Sequence, residues 1–437
     1  MKAAFDTIII GAGPGGYPLA AALAAAGENV AVIERSHPGG TCLNRGCIPT
    51  KCLAASAERA LECAGAADFG IHTGPVSVDY PAVAARMHAV VAELRSQVQA
   101  VLGRCTVIEG EARLLPGMEV AVGEDVYAAS RRIVIATGSQ PARLPVEGAD
   151  LALTSDDVLA LEQLPQSAVI IGGGVIGMEF ASIMAALGTK VSVIEYCKEI
   201  LPPFDPEIAK RLRQKLTRRG IDIMTGAGVT RLERNAHGGG ITVHFADKRG
   251  ERQMQADCAV MAVGRRPVVP AGVAEAGVNL TDRRFIAVDS LMRTSAPGIY
   301  AIGDVNGLCQ LAHAASAQAN VVLTGEADIF NAAATPAVVF TVPEVAAVGP
   351  LTFADRAVDV IRRNYASNGK ALAMGADGVL KLTVDRETRA LLAATAIGPH
   401  AADLIAEATI LIKEGTPLEQ IPRRYTHVHP TLSELFV

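Results

Sequence analysis

The sequence predicts an α/β protein of several domains, two of them built on doubly wound β–α–β units. Three observations carry this. The chain has 437 residues, more than one hydrophobic core organises, so several domains are expected. Half of the residues are hydrophobic, with no Trp, which is the composition of a well-buried α/β protein rather than a disordered or fibrous one. One glycine-rich pattern also occurs twice along the chain.

Composition excludes several classes of function. The net charge is −5 and no long basic run appears, so neither nucleic acid nor an acidic membrane surface is an expected partner. The N-terminus passes directly into the apolar run Thr7–Ile10 and a glycine turn, without the long apolar stretch and cleavage site of a signal peptide. The Ala-rich stretch from Leu19 to Ala26 is too short to span a bilayer. A cytoplasmic, membrane-free protein is expected. The eight cysteines do not resemble a secreted disulfide framework. Cys105, Cys197, Cys258 and Cys309 read as small apolar residues, while Cys42, Cys47 and Cys52 cluster. No metal site is expected.

The first copy of the repeated pattern, residues 7–34, reads TIIIGAGPGGYPLAAALAAAGENVAVIE; the second, residues 168–195, reads AVIIGGGVIGMEFASIMAALGTKVSVIE. Each is an apolar strand, a G-x-G-x-x-G turn, an apolar helix, and a second β-branched strand ending in Glu. The spacing is the same: Gly11, Gly13, Gly16 and Glu34, then Gly172, Gly174, Gly177 and Glu195. One such turn alone could be an ordinary strand–helix junction. After a strand, opening a helix, and with an acid about 20 residues on, it is a dinucleotide fingerprint of the Rossmann type. The glycines allow the tight turn and close approach to a pyrophosphate, and the helix start supplies N–H groups and partial positive charge. Pro18 falls early in the first helix, where a missing N–H costs little. Two such sites suggest electron transfer between two bound cofactors. Glu195 would repel a 2′-phosphate, and Tyr196 and Cys197 follow it instead of arginines, so NAD is favoured over NADP, although Lys198 lies nearby.

The first fingerprint leads into GGTCLNRGCIPTK, residues 39–51. Two cysteines five apart, flanked by glycines, suggest a reversible dithiol, with Arg45, Lys51 and the nearby helix start favouring thiolate. Spacing alone equally suits two buried free cysteines.

That segment resembles the redox-active signature of the pyridine-nucleotide disulfide oxidoreductases, and the resemblance extends over the whole chain. Ala136-Thr137-Gly138, the second fingerprint, Ala262-Val263-Gly264-Arg265-Arg266-Pro267, Ala301-Ile302-Gly303-Asp304, the run from Pro336 to Phe340 and the ending HVHPTLSE follow in the family's order. The resemblance implies a flavoprotein homodimer. FAD would sit on Gly11, Gly13, Pro14, Gly15 and Gly16, with Glu34, Arg35, Gly40, Thr41, Thr137, Gly138, Gly303 and Asp304 along its length. NAD would sit on Gly172, Gly174, Gly177, Glu195 and Gly264. Taken alone, Asp304 would equally be a helix cap after a glycine turn.

The resemblance also implies that Cys42 and Cys47 form the redox pair, that Lys51 pairs with Glu179 beside the flavin, and that His429, charged and oriented by Glu434, is the acid/base for the opposite subunit's disulfide. An imidazole suits proton removal from a thiol near neutral pH. His427 is given no role. The implied fold is two Rossmann-like dinucleotide-binding domains plus a C-terminal α+β dimerisation domain, with bounds of 1–145 for the FAD-binding domain, 146–265 for the NAD-binding domain, 266–332 for a central segment completing the FAD site, and 333–437 for the interface (dimerisation) domain.

Within the family, HVHPTLSE is most similar to the dihydrolipoamide dehydrogenases. The implied reaction is oxidation of dihydrolipoamide on the lipoyl domains of a 2-oxo-acid dehydrogenase or glycine-cleavage complex, with reduction of NAD+. An NAD(P)H-dependent reductase of another disulfide, or a mainly binding component of such a complex, are the alternatives. The chain departs from the pattern in three places: a short stretch from Pro350 to Tyr365, Val342 where His is common before Pro-Glu, and uncharged residues at Ala315-Ser316-Ala317-Gln318.

Overall fold

The computed structural model describes residues 3–235 and 239–437. The chain divides into two compact units, one of Met1–Cys52, Ala82–Ala142 and Arg265–Ala332, the other of Leu53–Pro81, Arg143–Gly264 and Ala333–Val437.

The first unit is built on a sheet with the spatial order Thr106–Glu109, Val30–Glu34, Ala3–Ile10, Asp125–Ile135, Glu119–Val122, Ala112–Leu115. Its central strands pair in parallel, and Ile299–Ala301 adds in parallel to Asp125–Ile135. Their β-branched runs suit strands covered on both faces. Side chains alternate across the sheet as the pleat requires: Ile8, Ile10, Ile33 and Ile133 enter one core, whereas Ile9, Val32 and Val134 enter the other. The second core receives Leu19, Ala20 and Leu23 of the helix Gly16–Ala25, together with Ala319, Val321 and Val322 of the helix Ala312–Thr324. Both helices therefore lie on one face, above the ends of the strands that carry the first glycine turn.

The second unit repeats the theme. Asp222–Thr225, Lys190–Glu195, Ser167–Ile171 and Cys258–Met261 form a parallel sheet in that order. Against it packs an antiparallel sheet of Gly228–Arg234, Ile241–Asp247 and Gly250–Ala256, with Phe245 buried between them. The C-terminal part is an antiparallel sheet in the order Ala337–Val339, Glu344–Val348, Leu391–Gly398, Val379–Asp385, Val358–Asn364. The short stretch after Pro350 thus still reaches a strand that completes this sheet. Helix Ala401–Lys413 covers it through Leu404, Ile405, Ala408 and Leu411, and the last turn, Leu432–Phe436, buries Leu432, Leu435 and Phe436 in the same core. Lys381 ties the two parts of the unit together, with Nζ donating to Asp205 at 2.6 Å and Glu207 at 2.9 Å. Among the described residues, no helix is long and apolar enough to cross a membrane.

Candidate active site

The two glycine turns are superimposable in their constraints. Gly11 and Gly172 both hold positive φ, +104° and +107°, and a Cβ on either would lie 2.4 Å from the carbonyl oxygen of Ala136 or Ala262. A Cβ on Gly16 or Gly177 would lie 2.0 Å from the carbonyl oxygen of Gly11 or Gly172, so helix and strand meet there with no room for a side chain. By contrast, a Cβ on Gly13 or Gly174 would meet nothing within 4 Å. The middle glycine of each turn therefore borders open space at the start of a helix, which is the cradle a pyrophosphate requires.

The terminal acids are fixed in the same way. Glu34 accepts from Ala12 N at 2.8 Å and Ser36 N at 2.9 Å. Glu195 accepts from Gly173 N at 2.5 Å and Cys197 N at 2.6 Å. Each carboxylate is held against the residue between the first two glycines, with lone pairs left for a ribose. Arg35 lies beside Glu34, exposed, and pairs with Glu111 at 3.6 Å. A cleft among Gly11, Glu34, Arg35, Gly110, Thr137 and Val268 opens beside the first turn.

The cysteine segment docks directly on that turn. Gly39 N donates to Ala12 O at 2.8 Å, and a Cβ on Gly40 (φ +59°) would lie 2.7 Å from Gly13 Cα. Thr41 and Cys42 follow in the short helix Gly40–Arg45, and Cys47 starts the next, Cys47–Ala64. Gly46 makes the joint: a Cβ there would lie 2.9 Å from Thr41 O and 3.3 Å from Cys42 Cα. The two cysteines are brought together, with a hydrogen bond between their side chains. The shared hydrogen bond with Cys47, then burial, pushes the Cys42 thiol well above its ordinary value, and the Lys51 ammonium opposes that rise. Asn44 had no assigned part, yet it pins the helix: its Nδ2 donates to Pro38 O at 3.0 Å and Gly40 O at 2.9 Å, and its Oδ1 accepts from Arg95 Nε at 2.8 Å.

Asp304 sits in the same unit. It accepts from Ser139 Oγ at 2.5 Å, and Arg265 donates to that hydroxyl at 2.7 Å while lying 3.9 Å from the carboxylate. Burial raises the Asp304 carboxyl above its usual range, opposed by the Ser139 hydroxyl and the Arg265 charge. Thr137 donates to Val268 O at 2.5 Å, while Gly138 (φ +69°) borders open space. Arg265 stands in the Ala262–Pro267 run, but nothing in the sequence links it or Ser139 to Asp304.

In the second unit Glu179 is buried on the helix Val175–Ala186 and accepts from Phe340 N at 2.9 Å. Gly264 (φ +109°) borders open space. His429 Nδ1 is hydrogen-bonded to Glu434 Oε1 at 2.9 Å, and the other oxygen accepts from Thr431 N at 3.0 Å. Those two bonds, the imidazole's first, hold the Glu434 carboxyl below its usual range. The His429 side chain is 80% exposed, whereas that of His427 is 12% exposed and bound to Glu407 at 2.7 Å. Asn368 fixes this ending, donating to Thr431 O at 2.9 Å.

Residues 5–319 match the family model of pyridine nucleotide-disulphide oxidoreductases, and residues 335–437 match the dimerisation domain of the same family. This chain belongs to that family. It is a flavoprotein oxidoreductase acting on disulfides, and its cofactors are FAD and NAD(H). Its C-terminal part is a dimerisation domain, as in homodimeric members. Dihydrolipoyl dehydrogenase from Chlamydia muridarum is 40% identical, the alignment covering 100% of this chain and 96% of that protein. Dihydrolipoyl dehydrogenase from Geobacillus stearothermophilus is 36% identical over 98% of this chain and 94% of that one. The solved structure of the HOCl-induced flavoprotein disulfide reductase RclA from Escherichia coli is also similar, with a TM-score of 0.87 at 30% identity, covering 99% of this chain and 98% of that one.

Proposed function

We propose that the protein is a dihydrolipoyl dehydrogenase, oxidising dihydrolipoamide carried on lipoyl domains and reducing NAD+. The observation that carries this reading is the exposed His429 imidazole bonded to Glu434, in a chain that also holds the paired thiols of Cys42 and Cys47. The full-length relatives named dihydrolipoyl dehydrogenase support it.

FAD would be held by the first glycine turn with Glu34, Arg35, Gly40, Thr41, Thr137, Gly138, Gly303 and Asp304. NAD would be held by the second turn with Glu195 and Gly264. The open cradles at Gly13 and Gly174 fit both groups. In the oxidised enzyme Cys42 and Cys47 form a disulfide. His429 takes the proton of one dihydrolipoyl thiol, with Glu434 supporting the charge on the ring. The resulting thiolate attacks Cys42 Sγ; an S–S bond forms to the substrate, the Cys42–Cys47 bond breaks, and Cys47 leaves as a thiolate. The second dihydrolipoyl thiol passes its proton to the Cys47 thiolate, and its sulfur displaces Cys42, which leaves with the proton held by His429; the lipoyl disulfide closes, the mixed S–S bond breaks, and Cys42 and Cys47 remain as the dithiol. Bound FAD supplies the two-electron path from that dithiol to NAD+. Lys51 and Glu179 act as a pair that sets the charge around this path, and His429 serves the disulfide of a second copy of the chain. The lipoyl domains of a 2-oxo-acid dehydrogenase or glycine-cleavage complex are the partners. We assign 1–145 to FAD, 146–265 to NAD, 266–332 to completing the FAD site and 333–437 to the interface.

The likeness to RclA favours a second reading, in which NAD(P)H reduces another disulfide. Anaerobic mixing of holoenzyme with dihydrolipoamide and NAD+ separates the two. Rapid NADH formation, much slower with NADP+ or glutathione, is expected. No NADH from an FAD-loaded enzyme would overturn the first reading.

A further inference from the structure

The helix Ala312–Thr324 touches both the first glycine turn and the Gly303–Asn306 turn. Ser316 Oγ donates to Pro14 O at 3.0 Å, inside the first glycine turn, with Ala312 O at 3.3 Å sharing the same proton. Ala315 fills the space between the two turns. A Cβ on Gly15 would lie 3.1 Å from its carbonyl oxygen, and one on Gly303 would lie 3.3 Å from its methyl group. One turn further on, Gln318 is 0% exposed. Its Oε1 accepts from Gly303 N at 2.7 Å and from Asn306 Nδ2 at 2.8 Å. Asn306, itself buried, completes the turn: Nδ2 also donates to Ala301 O at 3.1 Å, and Oδ1 accepts from Leu308 N at 3.1 Å.

The turn so tied is Gly303–Asn306, which carries Asp304. Asp304 is held at its carboxylate by Ser139, and its backbone is set by whatever fixes Gly303 and Asn306 on either side. Gln318 Oε1 reaches both of those residues at once. The other end of the same amide, Gln318 Nε2, is buried with no hydrogen-bond partner among the described residues. The acceptor half of Gln318 is thus used twice and the donor half not at all. A buried donor with no acceptor is expensive, so a core position given to Gln here answers a demand for its oxygen.

We propose that Gln318 is a positioning residue of the flavin site. It holds the Gly303–Asn306 turn so that Asp304 meets FAD in register with the first glycine turn, to which Ser316 anchors the same helix. The inference rests on the proposed contact of Asp304 with FAD and adds the residue that sets it.

The test is the rate of FAD release from diluted holoenzyme, followed by recovery of flavin fluorescence, in Gln318→Leu, Gln318→Glu, Asp304→Asn and the double variant Asp304→Asn/Gln318→Leu. Gln318→Leu leaves two buried donors unpaired and should release FAD at least about tenfold faster. Gln318→Glu keeps both accepted hydrogen bonds and should stay within about threefold of the parent. The double variant should be no worse than the poorer single one, because both changes act through one contact. Losses that multiply in the double variant, or Gln318→Glu as leaky as Gln318→Leu, would overturn the assignment. If Asp304→Asn alone leaves release unchanged, the Asp304–FAD reading itself fails and takes this one with it. If only Gln318→Leu is silent, this inference alone fails.

Discussion

Two histidines, two positions apart, differ in what burial leaves them free to do. His427 is part-buried and spent on Glu407, whereas His429 shows one ring nitrogen to Glu434 and the rest of the ring to solvent. A general base needs such an open nitrogen with its far side anchored. Replacing Glu434 with Gln removes the charge that supports the protonated ring, and kcat for dihydrolipoamide should fall by about 10- to 100-fold. His427→Gln should leave kcat within about threefold and instead lower Tm. Steady-state kinetics beside a thermal melt checks both, and equal effects on kcat would remove the distinction. Glu195 supports a second prediction at this scale. Its oxygens are pinned by Gly173 N and Cys197 N, so the carboxylate cannot swing away from a ribose phosphate. Glu195→Ser should lower the NAD+ over NADP+ ratio of kcat/KM by at least about tenfold; an unchanged ratio would take Glu195 out of the selectivity.

At the scale of elements, the paired glycine turns permit a sharper comparison than either alone. Gly13→Ala adds a methyl group that meets no protein atom, while Gly16→Ala drives one to 2.0 Å from the Gly11 carbonyl oxygen. The first variant should keep a near-parental Tm yet lose FAD; the second should lose several degrees of Tm or more, by about 1 kcal/mol or above. Gly174→Ala and Gly177→Ala should divide in the same way, with the KM for NAD+ in place of flavin content. Flavin absorbance and melting curves on the four proteins decide it. These turns were legible in the sequence because strand, turn, helix and acid all lie within about 28 residues, and periodicity exposes each of them. The support around Asp304 was not legible. Ser139 lies 165 positions away, and Gln318 is one of several polar residues in an Ala-rich helix, bonded to a backbone N–H and a side-chain amide. Nothing local marks an amide as a core acceptor rather than a surface residue; only the packing of that helix across the Gly15 and Gly303 loops does. Asn44 is intermediate: it stands between the two cysteines, but its bonds to Pro38, Gly40 and Arg95 needed the folded loop.

Over the whole molecule, the candidate site residues are divided between two compact units. The thiol pair and first glycine turn belong to one, the second turn and the His429–Glu434 pair to the other. In the second unit, integrity rests on a junction that is ionic as well as apolar. Lys381 donates to Asp205 and Glu207, and Arg362 donates to Glu207 as well, at 3.0 Å. Asp205 also caps the helix Pro206–Arg218, accepting from Glu207 N at 2.8 Å. Hydrogen bonds from Lys381, then Arg362, pull the Glu207 carboxyl down to about 2 from an ordinary 4.5. A depressed folded-state pKa contributes stability that is full above the unfolded value and lost as protons bind. The contribution should therefore be complete above pH 4.5 and fall away progressively as pH drops toward 2. Lys381→Met removes the leading cause of the depression, so the folded and unfolded pKa values of Glu207 move together. Its Tm should be lower than the parent's at pH 6, and the gap should narrow as pH falls from 5 to 3. Scanning the holoenzyme and the variant by calorimetry across that range is the check. Parallel curves would mean that Lys381 joins the two parts by packing its alkyl stem rather than by its charge.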